Sequence, residues 1–124
     1  MKIILLIGIG SFIGGVSRYL LSQLVQQKTL STFPYGTLLV NILGCLFIGI
    51  VFGLAAKGNM SQEMKLFFAT GLLGGFTTFS AFSNETITLF NTGHSTQAAL
   101  YVFASVVIGL GATVLGLMVT RFIL

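Results

Sequence analysis

The chain has 124 residues, of which 55% are hydrophobic and only 6% charged, with a net charge of +4 and a mean hydropathy of +1.03. Soluble domains carry about 25% charged residues, so these few charges cannot cover a globule, and the composition points to one integral membrane domain. The cations form no basic run, which argues against nucleic-acid binding; most flank apolar segments, where membrane proteins keep them for topology and headgroup contact.

Segment one covers about residues 3–24. At about 1.5 Å per residue it is long enough for the ~30 Å hydrocarbon layer. The opening MKIILLIGIGSFIGG mimics a signal peptide, but the apolar run continues without a small-x-small cleavage site, so it reads as a first transmembrane helix. Gly10 and Gly14, with Gly15 adjacent, give it a small face for close helix approach. Arg18 and Tyr19 fall near its far end, where Arg18 either snorkels to the interface or pairs with an acid.

The polar stretch 25–34 reads as an interfacial loop, and Pro34 suits the first turn of the next helix, where a missing N–H is harmless. Segment two, about 35–56, carries Thr37, then Asn41 about two turns in, and the small pair Gly49 and Gly53. In the connection KGNMSQEMK, Ser61 suits an N-cap and Glu63 the first turn of the helix that follows.

Segment three, about 64–90, is longer than one span requires. Gly74-Gly75 followed by Thr77-Thr78 is poor helix-forming sequence, and it predicts an interruption in mid-membrane. Gly93 suits a helix C-cap and Ser95 an N-cap. Segment four, about 96–122, repeats Tyr101, Ser105, Gly109, Ala112 and Gly116 every three to four residues, a small and weakly polar stripe that faces protein. Four spans put both termini on one side, with Lys2, Lys57, Lys65 and Arg121; Lys28 is the one Lys or Arg of the opposite loops, and His94 is a second cation there only at low pH. The positive-inside rule then makes the termini cytoplasmic.

Several residues invite chemistry. A break in mid-membrane frees carbonyls and amides, which are tolerated where they line a cavity or meet a ligand. The carbonyls of Gly74 to Thr78 are a candidate site for a hard cation; the alternative is a glycine-rich crossing that only permits close packing. Phe79 and Phe82 share a helical face, with Phe76 one turn earlier. Such a stripe either packs or offers its positive ring edges to a small anion. Ser80 and Ser83 form a hydroxyl row that can replace part of an ion's water shell or bond back to its own helix. Asn41 calls for a partner or a ligand. Glu85, the one acid within a span, calls for water or a partner such as Arg18. Cys45 stands alone in an apolar segment and reads as packing. With no Asp, one His and no third group to orient a Ser83–His94 pair, an enzyme is not supported.

Three motifs carry a resemblance. GGVSRY (Gly14 to Tyr19), PYGTLLVNILG (Pro34 to Gly44) and GGFTTFSAFSNE (Gly74 to Glu85), on a four-span chain, closely resemble the Fluc (CrcB-type) fluoride channel family, over essentially the whole length. The resemblance implies an all-α integral membrane fold of four helices with the third broken. It also implies a dual-topology antiparallel homodimer with two pores, in a bacterial inner membrane. Its implied function is passive export of cytoplasmic F⁻. By position, Phe79 and Phe82 are similar to the family's phenylalanine box, Asn41 to its pore amide, and Ser80, Ser83, Tyr101 and Ser105 to its pore-side polar residues. Arg18 and Glu85 are similar to vestibule residues, and the Gly74 and Thr77 carbonyls to a structural Na⁺ site at the dimer centre. Ala81 departs from the pattern, since Thr often stands there. The four-to-one cation bias also opposes equal insertion in both orientations. A competing reading is a small four-span multidrug-type transporter subunit. It would need a membrane-embedded acid in segment one, which holds Arg18 instead. A helix-packing subunit without transport would leave Asn41 and the hydroxyl row unexplained.

Overall fold

The computed structural model describes all residues from Met1 to Leu124. Helix α1 (Lys2–Thr29) and helix α2 (Tyr35–Ala56) are continuous. The third span is a composite of α3 (Gln62–Lys65), a π-helical stretch (Leu66–Leu73), α4 (Gly74–Phe76), an extended step at Thr77 and Thr78, and α5 (Phe79–Asn91). Helix α6 (Ser95–Phe122) completes the chain. Four helical units are long and apolar enough to cross a membrane, so this is a multi-pass membrane protein.

Only 18 of 124 residues are buried, and the outer surface carries exposed Phe12, Phe103, Leu110 and many other large apolar side chains. In lipid no hydrophobic force drives helices together, so close contact of small residues must do it. The contacts agree. A Cβ added to Gly14 would collide with the Leu72 carbonyl, and one on Gly10 would lie 2.8 Å from the Phe67 oxygen, so α1 and the third span cross backbone to backbone. Helix α2 packs most extensively on α6, where Cβ atoms on Gly49 and Gly116 would strike the carbonyls of Thr113 and Leu46. The obstacle at Gly116 is backbone that no rotamer change can move. Gly116→Val is therefore expected to destabilise by about 3 kcal/mol, the upper part of the overpacking range. Thermal unfolding in detergent measures this, and an unchanged midpoint would contradict so close a crossing.

Local signals act much as the sequence implies. Ser61 caps α3 by accepting the Met64 N–H at 3.1 Å. Gly93, at φ +84°, ends α5 in the left-handed region. The end that holds the termini is tied by Lys2 to Glu63 at 3.1 Å, and Lys65 lies over the Phe52 ring at 4.8 Å.

Three expectations need correction. Helix α1 runs about a turn beyond residue 24, to Thr29, so Arg18 lies three turns short of its end rather than near it. Ser95 is the first helical residue instead of the cap; His94 holds the cap position. Phe76 precedes the extended step and is buried, so it does not continue the face of Phe79 and Phe82. The π-helical stretch had no signal in LFFATGLL.

Candidate functional site

The site is built on the break in the third span. Thr77 (φ −90°, ψ 157°) and Thr78 (φ −148°, ψ 124°) are extended, and a new helix starts at Phe79. Thr78 caps that helix, its hydroxyl accepting the Ala81 N–H at 3.1 Å. Thr77 donates both its N–H and its hydroxyl to the Leu73 carbonyl, each at 3.0 Å. The two threonines thus close one helix end and open the next.

Side chains of the neighbouring helices bond to the exposed backbone. Asn41 of α2 donates from Nδ2 to the Thr78 carbonyl at 3.0 Å and accepts the Thr78 N–H on Oδ1 at 2.8 Å. That pair is reciprocal, and it replaces both backbone bonds that the break removed from Thr78. One N–H of the Asn41 amide has no protein partner among these bonds. On the other side, Arg18 donates from Nε to the Gly75 carbonyl at 3.1 Å, and Ser11 from its hydroxyl to the Gly71 carbonyl at 3.3 Å. Arg18 therefore bonds backbone and not Glu85, because the length of α1 places it at the depth of the break.

A groove of about 390 Å³ opens beside the break. Asn41, Gly44, Thr77, Phe79, Phe82 and Ser105 line it, along with Gly74 and Cys45. Phe79 is 78% exposed, and its ring centroid lies 5.5 Å from that of Phe82. Behind Phe82 sits Tyr101, wholly buried, at 5.0 Å between centroids; Phe33 follows in an edge-on contact at 5.6 Å. Ser80 shares a 3.3 Å hydrogen bond with Thr78, and Ser83 is exposed one turn further on. Thr86 and Thr88 bond back to the carbonyls four residues earlier.

Glu85 occupies a second cavity, of about 300 Å³, with Gln26, Thr32, Asn84 and Thr88. Thr37 donates to one carboxylate oxygen at 3.0 Å and Tyr101 to the other at 3.4 Å. Gln26 fixes the loop above: Nε2 donates to the Ser31 and Phe33 carbonyls, and Oε1 accepts the Gly36 N–H, all at 3.0 Å. Phe82 and Glu85 are three residues apart on α5, about 5 Å along its axis. The two cavities are therefore separated by little more than the Phe82–Tyr101 pair.

The expected residues thus fall into three groups. Asn41, Phe79, Phe82, Ser105, Gly74 and Thr77 meet at the groove, with Ser80 and Ser83 on the adjoining face of α5. Tyr101 and Glu85 bond each other at the second cavity. Arg18 stands behind the break. Sequence reasoning missed Gln26, Thr32 and Phe33, which have no motif and act only through the loop they pin; it noted Thr37 only for its position before Asn41. The groove can offer an ion an amide N–H, hydroxyls and ring edges, with no acidic side chain in its lining.

Comparison with known proteins agrees with this arrangement. A family model described as "CrcB-like protein, Camphor Resistance (CrcB)" matches residues 5–117. A protein of Azobacteroides pseudotrichonymphae, named "Fluoride-specific ion channel FluC", is 43% identical over 98% of both chains. Proteins of the same name from Flavobacterium psychrophilum and Rhizobium etli are 46% and 44% identical, over 98% and 94% of both chains. A match that takes in all four spans, the break and both cavities shows that the chain belongs to the CrcB-like family.

Proposed function

We propose that this protein is a fluoride-selective passive channel that releases cytoplasmic F⁻ across a bacterial inner membrane. The observation that carries the reading is the groove beside the break in the third span, lined by the paired rings of Phe79 and Phe82 together with Asn41, Thr77, Thr78 and Ser105. The name of these relatives supplies the anion.

Fluoride is small and strongly hydrated, so it crosses only where donors replace its water. Asn41 has one N–H left after its bonds to Thr78, and that bonding fixes the direction in which the N–H points. The hydroxyls of Ser80, Ser83 and Ser105 continue the donor row. Ring edges carry the positive end of the aromatic quadrupole, so Phe79 and Phe82 stabilise a passing anion without holding it as a fixed cation would. Beyond Phe82 lies the cavity around Glu85, whose carboxylate the buried Tyr101 hydroxyl holds.

One chain leaves the groove open on the side that would face lipid. Unsatisfied backbone and polar groups are not left against hydrocarbon, so a second copy covers the groove. In an antiparallel homodimer each copy closes the other's groove, giving two pores of opposite direction.

The break fits a structural Na⁺ in its donor set. In an unbroken helix Gly74 O would accept the Thr78 N–H, which Asn41 holds instead. Thr77 O would accept the Ala81 N–H, which the Thr78 hydroxyl holds. Carbonyls freed in this way suit a hard cation. Two per chain are few, and a second copy raises them to four. When bound, Na⁺ would supply charge that fastens the two breaks together.

The test is F⁻ efflux from liposomes carrying the purified protein, with Cl⁻ as control. Efflux of F⁻ well above that of empty liposomes, without Cl⁻ flux, is expected. A flux equal to that of empty liposomes sinks the channel reading.

A further inference from the structure

The backbone oxygens around the break meet different fates. Leu73 O accepts twice from Thr77, and Thr78 O is held by Asn41. Gly75 O would bond the Phe79 N–H in a continuous helix, and it bonds Arg18 instead. Gly74 and Thr77, the two carbonyls assigned to the ion, keep oxygens that the break has separated from their helical donors. We infer that Arg18 is a positioning residue for the cation site: by occupying Gly75 O, it decides which carbonyls remain for the ion. The inference rests on the Na⁺ reading above and concerns what sets the selectivity of that site.

Three observations support it. Arg18 is only half-buried, and Nε alone is used in the bond, so the rest of the fork can reach water while the charge stays at the depth of the break. Helix α1 cannot drift away from the break. A Cβ on Gly75 would collide with backbone, lying 2.5 Å from Ser11 O and 3.1 Å from Gly15 N. Ser11, one heptad before Arg18, holds Gly71 O, one helical turn before Gly75 O, so two donors on one face of α1 fix successive turns of the third span. The guanidinium also sets a like charge beside Gly75 O, which opposes a cation sliding towards it. With Arg18 in place the ion meets few oxygens, a set that suits a small cation. Without it, one more carbonyl per chain is released, and a larger cation such as K⁺ gains ligands.

The experiment follows subunit association in lipid vesicles, by energy transfer between two labelled populations, while Na⁺ or K⁺ is titrated against a large organic cation. The wild type should assemble with Na⁺ and respond weakly to K⁺. Arg18→Gln should narrow that Na⁺-over-K⁺ preference by about tenfold, and Arg18→Lys should keep it while moving the Na⁺ midpoint by at least about threefold, since an unforked ammonium makes a different bond. A loss of packing alone would weaken association equally in both cations. An unchanged cation preference in an assembled Arg18→Gln protein overturns the inference and leaves the Na⁺ reading standing. A wild type indifferent to either cation overturns both. Should Arg18→Gln fail to assemble, Arg18→Lys decides, and an unmoved Na⁺ midpoint overturns the inference.

Discussion

Asn41→Leu is expected to abolish F⁻ efflux and to destabilise the fold. Leucine has nearly the shape of asparagine, so the change removes bonds and leaves little cavity. It strands the Thr78 N–H and C=O, which Asn41 holds at 2.8 and 3.0 Å. A buried backbone group left without a partner costs about 1–3 kcal/mol, so the pair costs about 2–6 kcal/mol. The same change deletes the amide N–H that Thr78 leaves unused, at a residue that lines the groove. Asn41→Asp separates the two effects. A carboxylate can still accept the Thr78 N–H, so much of the break survives, but it offers no donor and adds a negative charge. Efflux should fall in both variants, and the thermal midpoint should fall further in the leucine variant. Wild-type efflux from Asn41→Leu would remove Asn41 from the pore.

The second large effect is expected at the ring pair. Phe79→Ile and Phe82→Ile keep an apolar side chain but remove the ring edge. An aromatic contact is worth about 0.5–1.5 kcal/mol beyond its area, and about 1.4 kcal/mol in a barrier is tenfold in rate. Each variant should therefore lose about tenfold in F⁻ flux while its subunits still associate. The two are not equivalent. Phe79 is 78% exposed and leans on Phe82, so its replacement should leave stability almost unchanged. Phe82 also packs on Tyr101, which bonds Glu85, so its replacement should loosen the wall between the two cavities. Full flux in both variants would end the ring-edge account.

Together these variants divide the third span by function. On the proposed function, residues at the extended step would serve assembly, through backbone that Asn41 and Arg18 hold in place. Residues from Phe79 onward would serve permeation. On that reading Gly74 and Thr77 fall in the first group although they border the groove, because they would contribute carbonyl oxygen. Within one chain the space beside Gly74 is open: a Cβ there would find only the Ala69 oxygen, at 3.7 Å.

Much of this was legible in the sequence, for identifiable reasons. Four apolar segments with few charges can only be spans, because lipid admits little else. Gly10, Gly14, Gly49 and Gly116 announced close crossings, because a missing side chain matters wherever two backbones meet. The break was legible because Gly74-Gly75 and Thr77-Thr78 are poor in helix propensity at a depth where the backbone has no water to fall back on. Asn41 was legible as a residue needing a partner, since an amide in a span is otherwise too costly to keep. Partners were another matter. Arg18 and Glu85 are opposite charges that sequence alone would pair. The register of α1 against the third span sends Arg18 to Gly75 O, and the packing of α2 and α6 gives Glu85 to Thr37 and Tyr101. Composition and periodicity, which act locally, determined the spans, their small faces and the place of the interruption. Only the tertiary structure decided which donor met which freed carbonyl, because that depends on the relative height of helices separated by up to sixty residues of chain.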